Sequence, residues 1–269
     1  MGDDETDQVL AIARINTAIV QHLIGSLLMF PSAFGIGYML PAGVASTMAR
    51  HANLSEFGFE LQDILVRLYQ ISFAGERGRK LNPLNLMLVL LVHHTAAFCL
   101  VIPMNIYYPN NSYFHEGVCL IQFGGFLLLF FQQYGYTLDV NTKDGLTKMK
   151  ICCTIAFVTV IWTRVLRYGW LLRTILLMVW EDQNWVILKC MIVPTTFLSL
   201  FNLALLKDVT EKLIKFVLVD ITKTSTAYFH DTFKLVEGIK ELTKHSFNGQ
   251  IRFRNSYNQV RNEDVYTNN

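Results

Sequence analysis

Two adjacent histidines, His93 and His94, stand inside the apolar run LVLLVHHTAAF (88–98). An imidazole changes charge close to working pH, so a pair of them in a hydrophobic setting suggests proton transfer. The preceding long segment, SEFGFELQDILVRLYQISF (55–73), carries Glu60, Asp63, Arg67 and Gln70 at spacings of three, four and three. On a helix those spacings put all four along one wall. Arg67 follows Asp63 by four, the right offset for an ion pair, which leaves Glu60 as an acid without an obvious partner. His93 and His94 differ by about 100° around a helix axis, so both can border one cavity without projecting along one line. The expectation is a catalytic set of His93, His94 and Asp63, with an imidazole accepting a proton and Asp63 or Glu60 orienting it. The alternative is a self-satisfied ion pair that only fixes helix packing.

Other polar residues fall in apolar surroundings downstream: Glu116, Gln122, Gln132, Gln133 and Tyr134, then Arg164 and Arg167. Glu116 sits where a helix N-terminus favours a negative charge. Arg164 and Arg167 can snorkel to an interface or hold an anionic headgroup. Glu60, Arg67, Glu116, Gln122, Arg164 and Arg167 are therefore the candidate lipid contacts. No metal and no cofactor is expected. The HxxxH and HxxHH spacings of membrane di-iron enzymes do not occur, and His22, His51, His115, His230 and His245 are scattered singly. Pairing His22 with His93 or His94 around a haem has no support in the spacing. GxSxG, Walker and GxGxxG patterns are also lacking, which argues against hydrolase, nucleotide-driven and dinucleotide chemistry.

The elements that must carry these residues are long apolar blocks. Hydrophobic residues make up 52% of the chain and charged ones 16%, where soluble domains carry about 25% charged residues. A hydrocarbon core of about 30 Å needs about 20 apolar residues in a helix, and six segments qualify: 17–40, 55–74, 84–104, 115–137, 149–171 and 185–206. The predicted fold is all-α, a polytopic transmembrane bundle of about six spans. It divides into a polar N-terminal segment (1–16), a transmembrane domain (17–206) and a polar tail (207–269). Pro31 and two glycines allow a bend in the first span, and Asn82-Pro83 is a fitting start for the third. The fifth is ambiguous. Apolar character runs from Ile151 to Trp180 through Arg164, Arg167 and Arg173, as one long helix or as a span plus an interfacial piece that would make seven.

The cysteines (Cys99, Cys119, Cys152, Cys153, Cys190) lie inside apolar runs without CxxC spacing and read as packing residues. A net charge of +2 gives no case for nucleic acid. The acidic start MGDDETDQVLAIARINTA has neither signal-peptide nor transit-peptide character, and Met1-Gly2 is read as incidental to lipidation. With six spans, Arg14, Arg77, Arg79, Lys80, Lys143, Lys148, Lys150, Lys207, Lys212 and Lys215 gather on one side, against Arg50 on the other. By the positive-inside rule both termini face the cytosol or the mitochondrial matrix. Two sequons, at Asn53 and Asn110, fall in loops assigned to the opposite face. In the tail, Phe229, Phe233, Val236 and Ile239 make an apolar stripe on a charged helix over 224–247, suited to a bilayer surface or to other membrane subunits.

In order along the chain, GFELQDILVRLY, LVHH, Glu116, GYTLDV, FVTVIWTRVLRY and SLFNLALL resemble the TLC-domain family of polytopic membrane proteins, over roughly Gly58 to Leu206. The resemblance implies a helical bundle around an elongated acyl-chain tunnel with the histidine pair midway. For its ceramide synthase branch it implies acyl transfer from acyl-CoA to an amino alcohol. That branch follows its histidines with HDxSD, where this chain has QFGGFLLLFFQQYG, so the branches concerned with membrane lipid composition are the better likeness. Two functions are expected from this. One is binding or processing of a long-chain membrane lipid, in the endoplasmic reticulum or the mitochondrial inner membrane. The other is a non-catalytic accessory subunit of a larger membrane complex, attached through the termini and the 224–247 helix.

Overall fold

A computed structural model describes residues 3–217, so the tail beyond Val217, including the 224–247 stripe, lies outside the described residues. Among the described residues all regular structure is helical. The helices are α1 (Asp3–Ala33), α2 (Val44–Phe73), α3 (Gly75–Leu81), α4 (Leu84–Tyr107), α5 (Ser112–Tyr136), α6 (Lys143–Val160), α7 (Arg167–Glu181) and α8 (Trp185–Val217). A π-helical turn, Ile161–Leu166, joins α6 to α7 without a break.

Local chemistry sets the boundaries. Pro83, at φ −61° and ψ 146°, opens α4 where its missing N–H costs nothing. The Asn111 side chain caps α5 by accepting from the Phe114 N–H at 2.8 Å, and Thr142 caps α6 by accepting from Gly145. Gly43, at φ +81°, turns the chain into α2, a conformation glycine adopts without a steric penalty. Pro31 does not break α1; the helix runs on to Ala33 and a short 3-10 turn follows over Ile36–Met39.

Among the described residues, five helical runs are long and apolar enough to cross a membrane: Val9–Ala33, Leu84–Tyr107, Ser112–Tyr136, Lys143–Glu181 and Trp185–Val217. The chain is thus a multi-pass, membrane-embedded protein. The second of the six expected spans is the exception. Its helix starts at Val44, well before 55, and ends at Phe73, but Arg50, Glu56, Glu60, Asp63 and Arg67 leave α2 short of the apolarity of the others. The fifth is one continuous run of 39 residues, about 58 Å long at 1.5 Å per residue, rather than a span and a separate interfacial piece.

Consecutive long helices alternate in direction. Arg14 near the start of α1 donates to Gln70 at the end of α2 at 2.6 Å, and Gln133 near the end of α5 donates to Asn16 at 3.3 Å. Helix α1 packs mainly on α5 and α2, and α8 on α4 and α6. At the end where α1 passes to α2, α4 to α5 and α7 to α8, buried apolar side chains close the bundle, among them Met104, Phe114, Val179 and Met191, with Met29 and Ala49 beside them. Leu27, Leu65, Leu88, Val158, Trp162 and Val193 are exposed on the outside, as a lipid-facing surface requires.

Asn53 corrects the glycosylation reading. It lies inside α2, fully buried, and donates to Asn105 of α4 at 3.0 Å, so no glycan fits there. Asn110 is exposed in the turn before α5.

Candidate functional site

The acid stripe of α2 is longer than the four residues read from the sequence. Glu56, Glu60, Asp63, Arg67 and Gln70 follow one another at spacings of four, three, four and three, and all but Arg67 meet a side chain of α1 or α4. Glu56 is 3.2 Å from His22 of α1. Glu60 is 3.4 Å from His94 Nδ1. Asp63 accepts from Arg67 at 2.7 Å and lies 4.0 Å from His94 Nε2. Arg67 also donates to Asn82 at 3.1 Å, and Asn82 donates to Gln70 at 3.0 Å. A polar ribbon therefore runs about 21 Å along α2, at 1.5 Å per residue.

His94 is the centre of this ribbon, with one ring nitrogen toward each carboxylate. Its side chain and that of Glu60 are both 9% exposed. His93 is turned to the same side: its ring stacks on Phe201 of α8 at 4.3 Å and lies 5.3 Å from the His94 ring. Glu60, His93 and His94 each offer a ligand-type atom, all within 4.8 Å of one another. The sequence shows two of these three on one helix and cannot show that the third comes from α2.

Several buried polar atoms here have no hydrogen-bond partner: Nδ1 of His93, both ring nitrogens of His94, both amide atoms of Gln122, Nε of Arg164 and the hydroxyl of Tyr168. Each such atom costs about 1–3 kcal/mol when left unsatisfied away from water, so the concentration marks a place built for something polar.

Arg164 reaches this centre because the π turn carries it inward. It is 8% exposed, donates from Nη2 to the Ile121 carbonyl at 2.8 Å, and feels Tyr168, Glu56 and Glu60 electrostatically. It does not snorkel. A π turn widens the helix locally and commonly occurs at functional sites; no residue signature in the sequence announces it. Close approach of α5 makes room: a Cβ on Gly124 would sit 2.5 Å from Thr163 Oγ1, and one on Gly25 would strike the Gln122 amide. The remaining candidates, Glu116 and Arg167, engage each other through two hydrogen bonds of 2.6 and 2.9 Å. They form a separate lock between α5 and α7.

The sequence reading gave His22, Glu56, Asn82 and Tyr168 no place in the site. Glu56 was within reach, since it precedes Glu60 by four on the same stripe. Two apolar grooves lie elsewhere, one of about 410 Å³ between α7 and α8 beside Arg173 and Trp180, another of about 390 Å³ near Leu28 and His51. Neither opens on the histidine pair, and neither is the tunnel that the resemblance implies. Comparison with protein-family models, with curated proteins and with solved structures finds no match for this chain.

Proposed function

We propose that the protein binds a long-chain membrane lipid and handles its polar end at the centre formed by Glu60, His94 and Asp63. The observation that carries this reading is His94 held between two carboxylates, buried, with both ring nitrogens outside hydrogen-bond geometry. Such a ring is positioned to exchange a proton with a group brought to it, with a carboxylate orienting it from behind. An amphiphile is the molecule at hand for a bundle in a bilayer, and Arg164 offers an unpartnered Nε to an anionic headgroup. The likeness of LVHH and the acid stripe to the TLC-domain family supports a lipid substrate. The Lys and Arg bias supports termini on the cytosolic or matrix side, in the endoplasmic reticulum or the mitochondrial inner membrane.

The test is lipid composition in cells expressing the wild-type chain or His94→Ala at matched protein levels. A change present with wild type and lost with His94→Ala supports the reading. Identical lipid profiles, with the protein migrating in a large complex on native gels, overturn it in favour of an accessory subunit.

A further inference from the structure

We propose that Glu60, His93 and His94 form the binding site of one divalent transition-metal ion of the zinc class. Two imidazoles and one carboxylate are one of the donor sets of catalytic zinc sites and that of mononuclear non-haem iron sites, and three protein ligands leave a position open for water or substrate. In a tetrahedral site with bonds of about 2.0–2.1 Å, neighbouring ligand atoms stand about 3.4 Å apart. Glu60 Oε1 and His94 Nδ1 are 3.4 Å apart. The ligand atoms of all three residues lie within 4.8 Å of one another, so side-chain rotation brings His93 into range.

The outer partners fit as well. A metal-bound imidazole usually turns its other nitrogen toward a carboxylate that fixes the ring. His94 Nε2 faces Asp63 at 4.0 Å, and Asp63 is itself anchored by Arg67 at 2.7 Å. A proton shared between Glu60 and His94 would leave His93 out, whereas an ion engages all three. His93 Nδ1 and both nitrogens of His94 are buried and make no hydrogen bond of good geometry, which leaves their lone pairs available to an ion.

This inference deepens the reading of the same centre and rests on its geometry, with the imidazole lone pairs assigned to an ion. The experiment is metal analysis of the full chain, purified in detergent through a tag without histidine. Wild type should carry about one zinc or iron ion per chain. Glu60→Gln and His94→Ala should lose it, His51→Ala in the distant groove should keep it, and Asp63→Asn should weaken affinity by about tenfold. Chelator-stripped wild type given Co²⁺ should show the visible bands of a low-coordinate site, and this decides the matter if the variants fail to fold. Wild type with neither bound metal nor a cobalt spectrum overturns the proposal. So does metal kept by both Glu60→Gln and His94→Ala, or lost with His51→Ala. Metal-free wild type whose lipid effect still depends on His94 overturns the metal and leaves the lipid reading standing; metal-loaded protein without a lipid effect does the reverse.

Discussion

Two carboxylates in this bundle are buried to the same degree and treated oppositely. Glu116 and Glu60 both keep 9% of their side chains exposed. Glu116 receives a two-pronged guanidinium from Arg167, at 2.6 and 2.9 Å, and Arg167 lies over the Trp170 ring at 4.3 Å. Glu60 faces an imidazole at 3.4 Å that makes no aligned hydrogen bond. The first arrangement is closed and joins α5 to α7; the second is open and stays in place because the surrounding helices hold it. Equal burial with unequal satisfaction separates a packing device from a site, because an unsatisfied polar group survives in a core only where something else compensates.

The strongest way to break the contrast is to open the closed pair. Arg167→Ala leaves Glu116 buried without a counter-charge, which typically costs about 3–5 kcal/mol. The Arg167 side chain is 33% exposed, so solvent reaches the pair and the low end of that range is expected. Equilibrium unfolding in mixed detergent micelles measures it. The double variant Glu116→Gln with Arg167→Leu should recover most of the loss. A single variant as stable as wild type would make the pair ornamental and remove one side of the comparison.

A smaller effect is expected where the open centre is assembled. Gly124 lets α5 approach the π turn, and a Cβ there would sit 2.5 Å from Thr163 Oγ1, with the Thr163 Cβ at 3.3 Å. The Thr163 hydroxyl donates to the Thr159 carbonyl at 2.8 Å, so retreating costs that bond. Gly124→Ala should therefore destabilise by about 1–3 kcal/mol, the usual cost of overpacking. Thr163→Ala in the same chain removes the nearer atom and should restore part of it. Full stability of Gly124→Ala alone would mean that the π turn adapts freely, and that Arg164 is less firmly aimed than its position implies.

What could be read in advance depended on whether the information was local. Pro83 fixed the start of α4 because the constraint belongs to that residue. The 3-4-3 stripe on α2 and the tandem histidines announced polar walls because helical periodicity is local. The partner of each group was not legible, since it depends on which helices meet: Arg167 found Glu116, and His22 found Glu56. The sequon at Asn53 failed for the same reason, because its motif cannot see that α2 begins earlier and buries it against Asn105. The polar face that made α2 chemically interesting also kept it below the apolarity of its neighbours.

The smallest stability change and the sharpest functional one should coincide in the open centre. Replacing a poorly satisfied buried polar cluster by apolar residues of similar size is often neutral or stabilising, because the desolvation cost disappears with the charges. The double variant Glu60→Leu with His94→Leu, compared with chelator-treated wild type so that no bound ion contributes, should unfold within about 1 kcal/mol of it or above it. The same variant should lose any lipid phenotype. A loss of several kcal/mol would show that Glu60 and His94 are a packing element like Glu116 and Arg167, differing only in geometry. A stable chain without function would show the opposite: a centre kept against its cost to the fold, as sites that act tend to be.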